Sequence, residues 1–459
     1  MTNLDQVAAT TGAPRSLVRP SSAPQTSLRR TAIAALAGTS IEYYDFFLYG
    51  TASALVFPAV FFPKGAPAGA LLASFSTFAI GFFARPLGAV LFGHLGDRRG
   101  RKPALVVALL LMGAATTLIG CLPSYAQVGP VAPVLLIALR LLQGLALGGQ
   151  WGGAILILTE NAPDSRRGFY GSFAQMGAPI GAILSNVVFL AVSTLSGPDS
   201  LISWAWRLPF LLSLALIGVA LVMQFKLQDT AAFRAIQEVE TRRLDAGAQT
   251  DQRRSPVIEA FRFYPKQILL AAGAFVAMNV SFYVLVTFSL AYGTNAWGLH
   301  IPSFTMLSGV LLGTIAMVPG TFISSVVSDQ HGRRGVLIMS AALLACWAFA
   351  VFPLISTRSL WGICTALCVG QFLNGMIFGP LAALFSEMFP ARVRYSGASL
   401  GYQLGAILGG ALAPLVATTL LVRFGTPVAI SLYMAGMCVI TIGSVWLIAE
   451  QRAARPDGL

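Results

Sequence analysis

Apolar blocks of about 20 residues recur along the whole chain, and they constrain its fold more than any other feature of the sequence. Each block is long enough to cross about 30 Å of hydrocarbon as a helix, and twelve such blocks are present. Lipid offers no hydrogen bonds to the backbone, so a spanning segment must be a helix or part of a closed barrel. Because the apolar runs are continuous rather than alternating, we predict an all-α polytopic membrane protein with twelve transmembrane helices.

The content and the placement of charge agree with this class. Only 10% of the 459 residues are charged, whereas a soluble protein has about 25%. The net charge of +13 could indicate a nucleic-acid-binding protein. If the N-terminus is cytoplasmic, however, 24 of the 30 Lys and Arg lie on the cytoplasmic side and 4 on the opposite side. This asymmetry follows the positive-inside rule. We therefore predict a multi-pass protein of the cell (inner or plasma) membrane, with both termini cytoplasmic and no nucleic-acid partner.

The chain contains two similar halves of six blocks each, separated by the polar stretch 228–262. The segment "GHLGDRRGRK" (93–102) matches "VVSDQHGRRG" (326–335), and "ENAPDSRR" (160–167) matches "EMFPARVR" (387–394). The matched pairs are Asp97 with Asp329, Arg101 with Arg333, Glu160 with Glu387, and Arg167 with Arg394. Transporters that work by alternating access are built from such repeats and bind substrate near the membrane midplane.

The blocks and the polar segments predict five parts. They are a cytoplasmic tail (1–30), a first six-helix half (31–226), a cytoplasmic central loop (227–263), a second six-helix half (264–449) and a second cytoplasmic tail (450–459). The first 30 residues lack an apolar core, so they do not resemble a cleavable signal peptide.

Several of these motifs resemble a known family. "GHLGDRRGRK" is similar to the signature loop between the second and third helices of the major facilitator superfamily. "IEYYDFFLYG", "LLQGLALGGQWGGA", "WRLPFLLS" and "FPARVRYSGASLGYQLG" resemble its metabolite:proton symporters, a group that includes permeases for shikimate, α-ketoglutarate, proline and betaine. The resemblance implies the major facilitator fold and proton-coupled transport. Tyr43 stands where that group has Trp, and Gln150 stands where it has Glu.

Four charged residues lie inside the predicted spans, although a charge at the centre of a bilayer costs at least about 2.5–3.5 kcal/mol. Glu42 and Asp45 lie in the first span, Arg85 in the second and Arg140 in the fourth. Glu42 and Asp45 are three residues apart and so share a helix face. Either the acids neutralise the arginines, or one arginine remains to bind a substrate carboxylate. We predict that Arg140 binds this carboxylate, with Arg85 as the second candidate.

The two acids are also the candidates for proton coupling. An acid that exchanges an arginine partner for substrate or solvent would load and release a proton during each transport cycle. We predict Asp45 as the main proton carrier and Glu42 as its assistant, because no other acids lie deep in the predicted spans.

Polar and aromatic residues in other spans are candidates for the rest of the substrate site. They are Gln150, Trp151, Tyr49, Tyr283, Asn279, Gln175, Asn374 and Tyr402. Each of them could instead form hydrogen bonds between helices without touching substrate. The five cysteines have no His or carboxylate nearby in sequence, so we predict no metal site and no cofactor.

Charged residues at the helix ends are candidates for gating. They are Asp97, Arg98, Arg101, Lys102, Glu160, Arg167, Asp329, Arg333, Glu387 and Arg394. An acid at such a position can cap a neighbouring helix or pair with arginine, and remaking that contact would shift the balance of two conformations. The family resemblance implies the same role. The alternative is a set of static ion pairs that only fix topology.

These features predict a proton-coupled symporter that takes up a small organic acid by alternating access. We expect a monomer in the lipid bilayer, with protons and a small-molecule substrate as its partners. A symporter of zwitterionic osmolytes of the proline or betaine type is the alternative. A transporter-like sensor is more remote, because the loops and tails are too short for an output domain. An enzyme would need a nucleophile–base pair or a metal set, which the sequence lacks.

Overall fold

The computed structural model describes residues 25–63, 67–99, 101–148, 158, 162–228, 256–295, 298–390 and 393–453. Within these ranges the chain forms twelve long helical units and no strand. The first six are α1 (Gln25–Leu55), α2 (Pro67–Arg99), α3 (Arg101–Gly120), α4 (Val131–Gly148), α5 (Arg167–Ser196) and α6 (Arg207–Gln228). The last six are α7 (Pro265–Tyr283, Val284–Phe288 and Ser289–Thr294), α8 (Ser303–His331), α9 (Arg333–Ser356), α10 (Leu360–Met388), α11 (Arg394–Ala406, Ile407–Ala411 and Ala413–Phe424) and α12 (Val428–Ala453).

Short helical segments join or extend these units. They are Phe57–Val60, Tyr125–Val128, Asp164–Arg166, Pro198–Ser200, Leu201–Ala205 and Pro256–Phe263. Among the described residues, ten helices are long and apolar enough to cross a membrane, and Val106–Gly120 in α3 is a shorter apolar stretch. Helix α1, which carries Glu42 and Asp45, is not among the ten. The prediction of an all-α polytopic membrane protein with twelve helices in two halves is confirmed.

The packing of the helices repeats with an offset of six. Helix α1 packs on α5, α2 on α4 and α3 on α6; in the second half α7 packs on α11, α8 on α10 and α9 on α12. Of the ten apolar helices among the described residues, α7 is the most enclosed, because 89% of its most apolar stretch is buried. In Leu201–Val219, which includes the first part of α6, only 33% is buried. Large apolar side chains such as Leu214 and Leu432 are exposed on the outside of the bundle, where lipid replaces water as solvent.

Glycines allow two equivalent helix pairs to approach closely. A Cβ on Gly144 of α4 would collide with the Gly81 carbonyl of α2, and one on Gly375 of α10 would collide with the Met317 carbonyl of α8. The two glycines occupy matching positions in the two halves, in Gln143–Gly144 of α4 and Asn374–Gly375 of α10. The backbones of α2 and α4, and of α8 and α10, therefore touch, as small residues permit in membrane bundles.

The helices extend further than the apolar blocks. Helix α1 begins at Gln25, and α2 continues to Arg99 before α3 begins at Arg101. The signature segment predicted as a loop is thus largely helical, because polar residues can continue a helix once it has left the apolar layer. Part of the predicted central loop also forms a helix, Pro256–Phe263, whereas 229–255 lie outside the described residues.

Candidate functional site

Arg140 on α4 is completely buried. Its guanidinium carbon Cζ lies 4.1 Å from the ring centre of Tyr49, 4.4 Å from that of Phe46 and 4.9 Å from that of Phe78. The Nη1 atom donates a hydrogen bond to Oε1 of Gln143 at 3.1 Å. The Nε and Nη2 atoms have no hydrogen-bond partner among the described residues. Arg140 therefore keeps two donors available in an aromatic environment.

Arg85 on α2 is also buried and also packs against Phe46. Its Cζ lies 4.2 Å from the ring centre of Phe46 and 4.3 Å from that of Phe82. Its side chain forms a hydrogen bond with the hydroxyl of Tyr283 on α7, in the second half. The Nε and Nη2 atoms of Arg85 also lack a partner among the described residues. Two guanidinium groups thus pack against one phenyl ring.

The rings around the two arginines connect the halves of the bundle. Tyr283 of α7 lies 5.6 Å from Phe78 and 5.5 Å from Phe82 of α2, measured between ring centres. Gly410 lies in the π-helical turn Ile407–Ala411 of α11, and a Cβ at this position would lie 2.7 Å from the rings of Phe82 and Tyr283. Only a glycine lets α11 approach the aromatic cluster this closely.

Asp45 is buried, and its hydrogen-bond partners are hydroxyl groups rather than the arginines. Its Oδ1 accepts a 2.6 Å hydrogen bond from the Ser213 hydroxyl of α6, and Thr116 of α3 is its second hydrogen-bond partner. Within the described residues Asp45 forms no ion pair with Arg85 or Arg140. Direct neutralisation of an arginine by Asp45, which the sequence left open, is therefore not what these side chains adopt. Glu42, one turn earlier on α1, is half-buried.

Asp45 and Arg140 are nevertheless connected. Arg140 donates to Gln143, and Nε2 of Gln143 donates to Oγ1 of Thr116 at 2.7 Å. Thr116 in turn contacts the Asp45 carboxyl group. The sequence analysis did not select Gln143, Thr116 or Ser213 as site residues. The available signal was weak: Gln143 follows Arg140 by three residues, which places both on one face of α4.

The predicted lining residues divide into four groups. Tyr49 and Tyr283 contact the arginines as described above. Gln175 and Tyr402 form hydrogen bonds between the halves: Nε2 of Gln175 donates to the Phe378 carbonyl at 3.3 Å, and the Tyr402 hydroxyl lies 2.9 Å from that of Tyr43. Gln150 and Trp151 lie outside the described residues.

The remaining two lining residues form local hydrogen bonds. Asn279 donates to the Phe275 carbonyl of its own helix at 3.3 Å. Asn374 donates to Gln371 at 3.3 Å, and the Asn374 Oδ1 and Gln371 Nε2 atoms have no hydrogen-bond partner among the described residues. Asn279, Tyr283 and Thr287 follow one another at intervals of four residues, which would place them on one face of a regular α-helix. The π-helical turn Val284–Phe288 interrupts this regular spacing.

A second polar cluster lies where α8 ends and α5 begins, and it joins the two halves. The Asp329 carboxylate accepts hydrogen bonds from the backbone N–H groups of Gly168 and Phe169, both at 2.9 Å. Arg333 lies 2.5 Å from Asp329 and 3.5 Å from Glu387. An anion at a helix N-terminus is favoured by the unpaired N–H groups and by the helix dipole. We call these five residues the capping cluster.

The other predicted gating residues are only partly described. Nε of Arg394 donates to the Phe389 carbonyl at 3.2 Å, and Arg167 is half-buried as the first residue of α5. The side chains of Asp97, Arg98, Arg101 and Lys102, as well as residue Glu160, lie outside the description. Asp329 thus caps a helix and pairs with an arginine, whereas the gating role of all these residues stays a prediction.

In the part of the chain that the structure describes, no group of three or more His, Cys, Asp or Glu residues could hold a metal ion. The described side chains of the site supply buried guanidinium groups, tyrosine hydroxyl groups and the Asp45 carboxyl group.

Comparisons with known proteins agree on one family. Residues 35–407 match the family model of the Major Facilitator Superfamily. The chain is 39% identical over 435 residues to the "Inner membrane metabolite transport protein YhjE" of Escherichia coli K12, covering 94% of this chain and 96% of that one. It is 35% identical over 428 residues to the "Shikimate transporter" of the same organism, with coverage of 93% and 95%.

A more distant relative and a solved structure complete the comparison. The "Proline/betaine transporter" of E. coli K12 is 32% identical over 399 residues, covering 86% of this chain and 78% of that one. The fold superposes on the xylose transporter XylE from E. coli with a TM-score of 0.66 at 16% identity, covering 92% of this chain and 98% of that one. At this identity the superposition shows the fold alone.

Proposed function

The chain belongs to the Major Facilitator Superfamily, and on this basis we propose that it takes up a small organic acid together with protons by alternating access. It is a multi-pass membrane transporter and not an enzyme, since its relatives over nearly the whole length are transporters of this family. The identity of the substrate and the coupling ion are part of the proposal.

One observation carries the choice of an acid. Arg85 and Arg140 are buried between the helices, and each has two nitrogen atoms without a hydrogen-bond partner among the described residues. Arginine does not lose its proton in proteins, so a buried guanidinium group needs an anion to offset the loss of hydration. A carboxylate fits this need because it can accept two parallel hydrogen bonds from one guanidinium group. The relative named as a shikimate transporter supports a carboxylate as the substrate.

The relative named as a proline/betaine transporter supports the zwitterion alternative. A quaternary ammonium group binds best over the face of aromatic rings. Here the faces of Phe46, Tyr49, Phe78 and Phe82 already lie within 4.9 Å of a guanidinium carbon. The cluster already holds the guanidinium groups of Arg85 and Arg140, so a third cation would be repelled and the cluster favours an anion.

We assign proton coupling to Asp45, with Glu42 assisting. Asp45 is 4% exposed, and a charge at such a position is accepted when it must change during function. Its two partners, Ser213 and Thr116, carry hydroxyl groups, which can donate to a carboxylate and accept from a neutral carboxyl group. The site around Asp45 therefore suits both protonation states.

The remaining assignments are proposals of the same kind. The predicted lining residues bind substrate, and the predicted helix-end charges form the gates. We also propose that the chain is divided at 30, 226, 263 and 449 as the sequence predicts, that both termini are cytoplasmic, and that the protein works as a monomer in the inner or plasma membrane. The inner membrane is named for the relative YhjE.

Uptake into proteoliposomes under an imposed inward proton gradient tests the function. The panel contains shikimate and other small carboxylates, glycine betaine and proline, and D-xylose. We expect one or more carboxylates to accumulate when the gradient is present and not when an uncoupler abolishes it. Accumulation of betaine but of no carboxylate would support the zwitterion alternative. Substrate movement without any response to the uncoupler would contradict proton coupling.

A further inference from the structure

We propose that Thr116 and Gln143 transmit the charge of Asp45 to the guanidinium group of Arg140, so that proton binding and anion binding are coupled through a relay and not through an ion pair. The proposal rests on the proposed function, which places the proton on Asp45 and the substrate anion on Arg140. It adds two positioning residues, on α3 and α4, that neither touch the substrate nor carry a charge.

The hydrogen bonds of the relay have a common direction. Arg140 donates to the side-chain oxygen of Gln143 at 3.1 Å, and the side-chain nitrogen of Gln143 donates to the hydroxyl oxygen of Thr116 at 2.7 Å. A threonine whose oxygen accepts from Gln143 still has its own proton to donate. The next partner of Thr116 is the Asp45 carboxyl group. Every donor can therefore point toward Asp45, which is the arrangement that an ionised carboxylate favours.

Thr116 can change this direction because its single proton has two acceptors. One is the carboxyl group of Asp45, and the other is the Met112 carbonyl, which lies 2.9 Å from the Thr116 oxygen. When Asp45 is ionised, the proton of Thr116 points to the carboxylate. When Asp45 is protonated, its own O–H can donate to Thr116, whose proton then turns to Met112. Only a hydroxyl rotation is needed, and no backbone movement.

The charge of Asp45 sets the environment of Arg140 through these bonds. With Asp45 ionised, the chain of hydrogen bonds ends on a negative charge; neighbouring bonds in such a chain polarise and strengthen one another. Gln143 then holds the Arg140 guanidinium group, and the negative end of the chain partly offsets its positive charge. Protonation of Asp45 removes the charged end, which weakens this hold and leaves the guanidinium group in greater need of an anion. A bound proton thus favours a bound anion, and linkage makes the effect reciprocal.

The other groups that act on the two ends do not bypass the relay. On Asp45 the described partners are Ser213 of α6 and Thr116 of α3. The titratable neighbours on α1 are Tyr44 beside it and Glu42 one turn earlier. On Arg140 the described charged and titratable groups are Arg85, Tyr49 and Tyr283. Tyr49 uses its hydroxyl to donate to Thr77 at 2.7 Å. Among these described contacts, only Gln143 and Thr116 link the two ends.

Infrared difference spectroscopy of the full chain in lipid bilayers, recorded during a pH titration without any substrate, tests the relay. The C=O band of protonated Asp45 is identified by its absence in Asp45→Asn. The guanidinium band of Arg140 is identified by isotope-labelled arginine and by its absence in Arg140→Lys. In the unchanged protein we expect both bands to titrate with one common midpoint, because the charge of one group is felt by the other.

Four variants decide whether the relay carries the effect. In Thr116→Val and Gln143→Leu the Asp45 band should still titrate, while the Arg140 band loses its pH dependence. Thr116→Ser keeps the hydroxyl group and should restore it. The matched control is Ser213→Ala, which removes the 2.6 Å hydrogen bond on the other side of Asp45. It should shift the midpoint of both bands together and leave the Arg140 band responsive.

Two outcomes in the variants would overturn the relay. If the Arg140 band still follows Asp45 in both Thr116→Val and Gln143→Leu, the coupling passes through space or through another path. If Ser213→Ala removes the response of Arg140 as Thr116→Val does, the effect belongs to the general packing around Asp45. The proposed function fails separately, in the uptake screen, if no carboxylate accumulates in response to the proton gradient. The relay fails if no Asp45 band titrates, if the Arg140 band does not titrate in the unchanged protein, or if the Arg140 band responds in every variant.

Discussion

The hydroxyl groups of Tyr43 and Tyr402 lie 2.9 Å apart and are buried, although one residue belongs to α1 and the other to α11. This hydrogen bond joins the two halves of the protein beside the aromatic cluster. Alternating access requires the halves to separate on one side at a time. Contacts of this kind are therefore made in one conformation and broken in another, and their removal should shift the conformational balance.

Tyr43→Phe should favour conformations in which α1 and α11 are separated. The change leaves the buried Tyr402 hydroxyl with one partner fewer, which typically costs about 1–3 kcal/mol. Hydrogen exchange measured by mass spectrometry should become faster in peptides covering α1 and α11. The control is Tyr44→Phe, because the Tyr44 hydroxyl donates to the Pro209 carbonyl, within the first half, at 2.9 Å. Equal exchange in the two variants would mean that the Tyr43–Tyr402 bond does not hold the halves together.

Arg140→Lys should weaken carboxylate binding while the protein still inserts into the membrane. Lysine keeps the charge but lacks the planar group that binds a carboxylate through two hydrogen bonds. The loss of one charge-assisted contact costs about 1.5–3 kcal/mol, or about ten- to a hundredfold in affinity. Isothermal titration with the carboxylate found in the uptake screen measures this change. Arg207→Lys is the control, since Arg207 donates to the Gly120 carbonyl at 3.0 Å, away from the aromatic cluster.

Arg85→Lys decides which arginine is the main anion site. If Arg140→Lys binds normally and Arg85→Lys does not, the substrate carboxylate belongs on α2 and the assignment to Arg140 is wrong. A loss in both variants would mean that the two guanidinium groups, which share the ring of Phe46, bind the anion together.

Asp45→Asn should abolish accumulation against a gradient but keep exchange of substrate across the membrane. An amide has nearly the shape of a carboxyl group and can still accept from Ser213, but it cannot carry a proton through the cycle. Counterflow and proton-driven uptake in the same proteoliposomes separate the two activities. Continued uphill accumulation by Asp45→Asn would place the proton site elsewhere, with Glu42 as the next residue to replace.

Asp329→Asn should loosen the contact between α5 and α8. The change removes the negative charge that faces two N–H groups at the start of α5 and the guanidinium group of Arg333. A charge at a helix N-terminus typically contributes about 0.3–1 kcal/mol, and about 2 kcal/mol when it is partly buried. The expected result is faster hydrogen exchange at Gly168 and Phe169 and a changed transport rate. Asp199→Asn, on an exposed short helix, is the control.

Reporter fusions test the orientation of the chain. Fusions at Lys64, Gly197 and Arg358 should report the outside, and fusions at Gln252 and Leu459 should report the cytoplasm. The reason is that 24 of the 30 basic residues lie on the same predicted side as Gln252 and Leu459. An outside signal from Gln252 would contradict both the twelve-span arrangement and its division into two halves.

The number and type of the helices follow from the sequence alone. In lipid each backbone N–H and C=O group must be satisfied within its own segment, so twelve continuous apolar blocks can form only helices. The division into halves also follows, because Asp97 and Asp329 occur in matching segments after equivalent blocks. The sequence also indicates where the site lies. A charged side chain in the bilayer is energetically costly, so Asp45, Arg85 and Arg140 are expected there only if they have a function or a partner.

What the sequence leaves open is the rotation of each helix about its own axis. Lipid is as apolar as most side chains, so hydrophobicity does not decide which face of a membrane helix meets its neighbours. That choice depends on close packing at particular glycines and on interhelical hydrogen bonds. The tertiary structure therefore decides that Asp45 meets Ser213 and not an arginine, and that Tyr283 of the second half reaches Arg85. It also connects Asp45 to Arg140 through Gln143 and Thr116. Arg140 and Gln143 share one helix, but no sequence spacing relates that helix to those that carry Thr116 and Asp45.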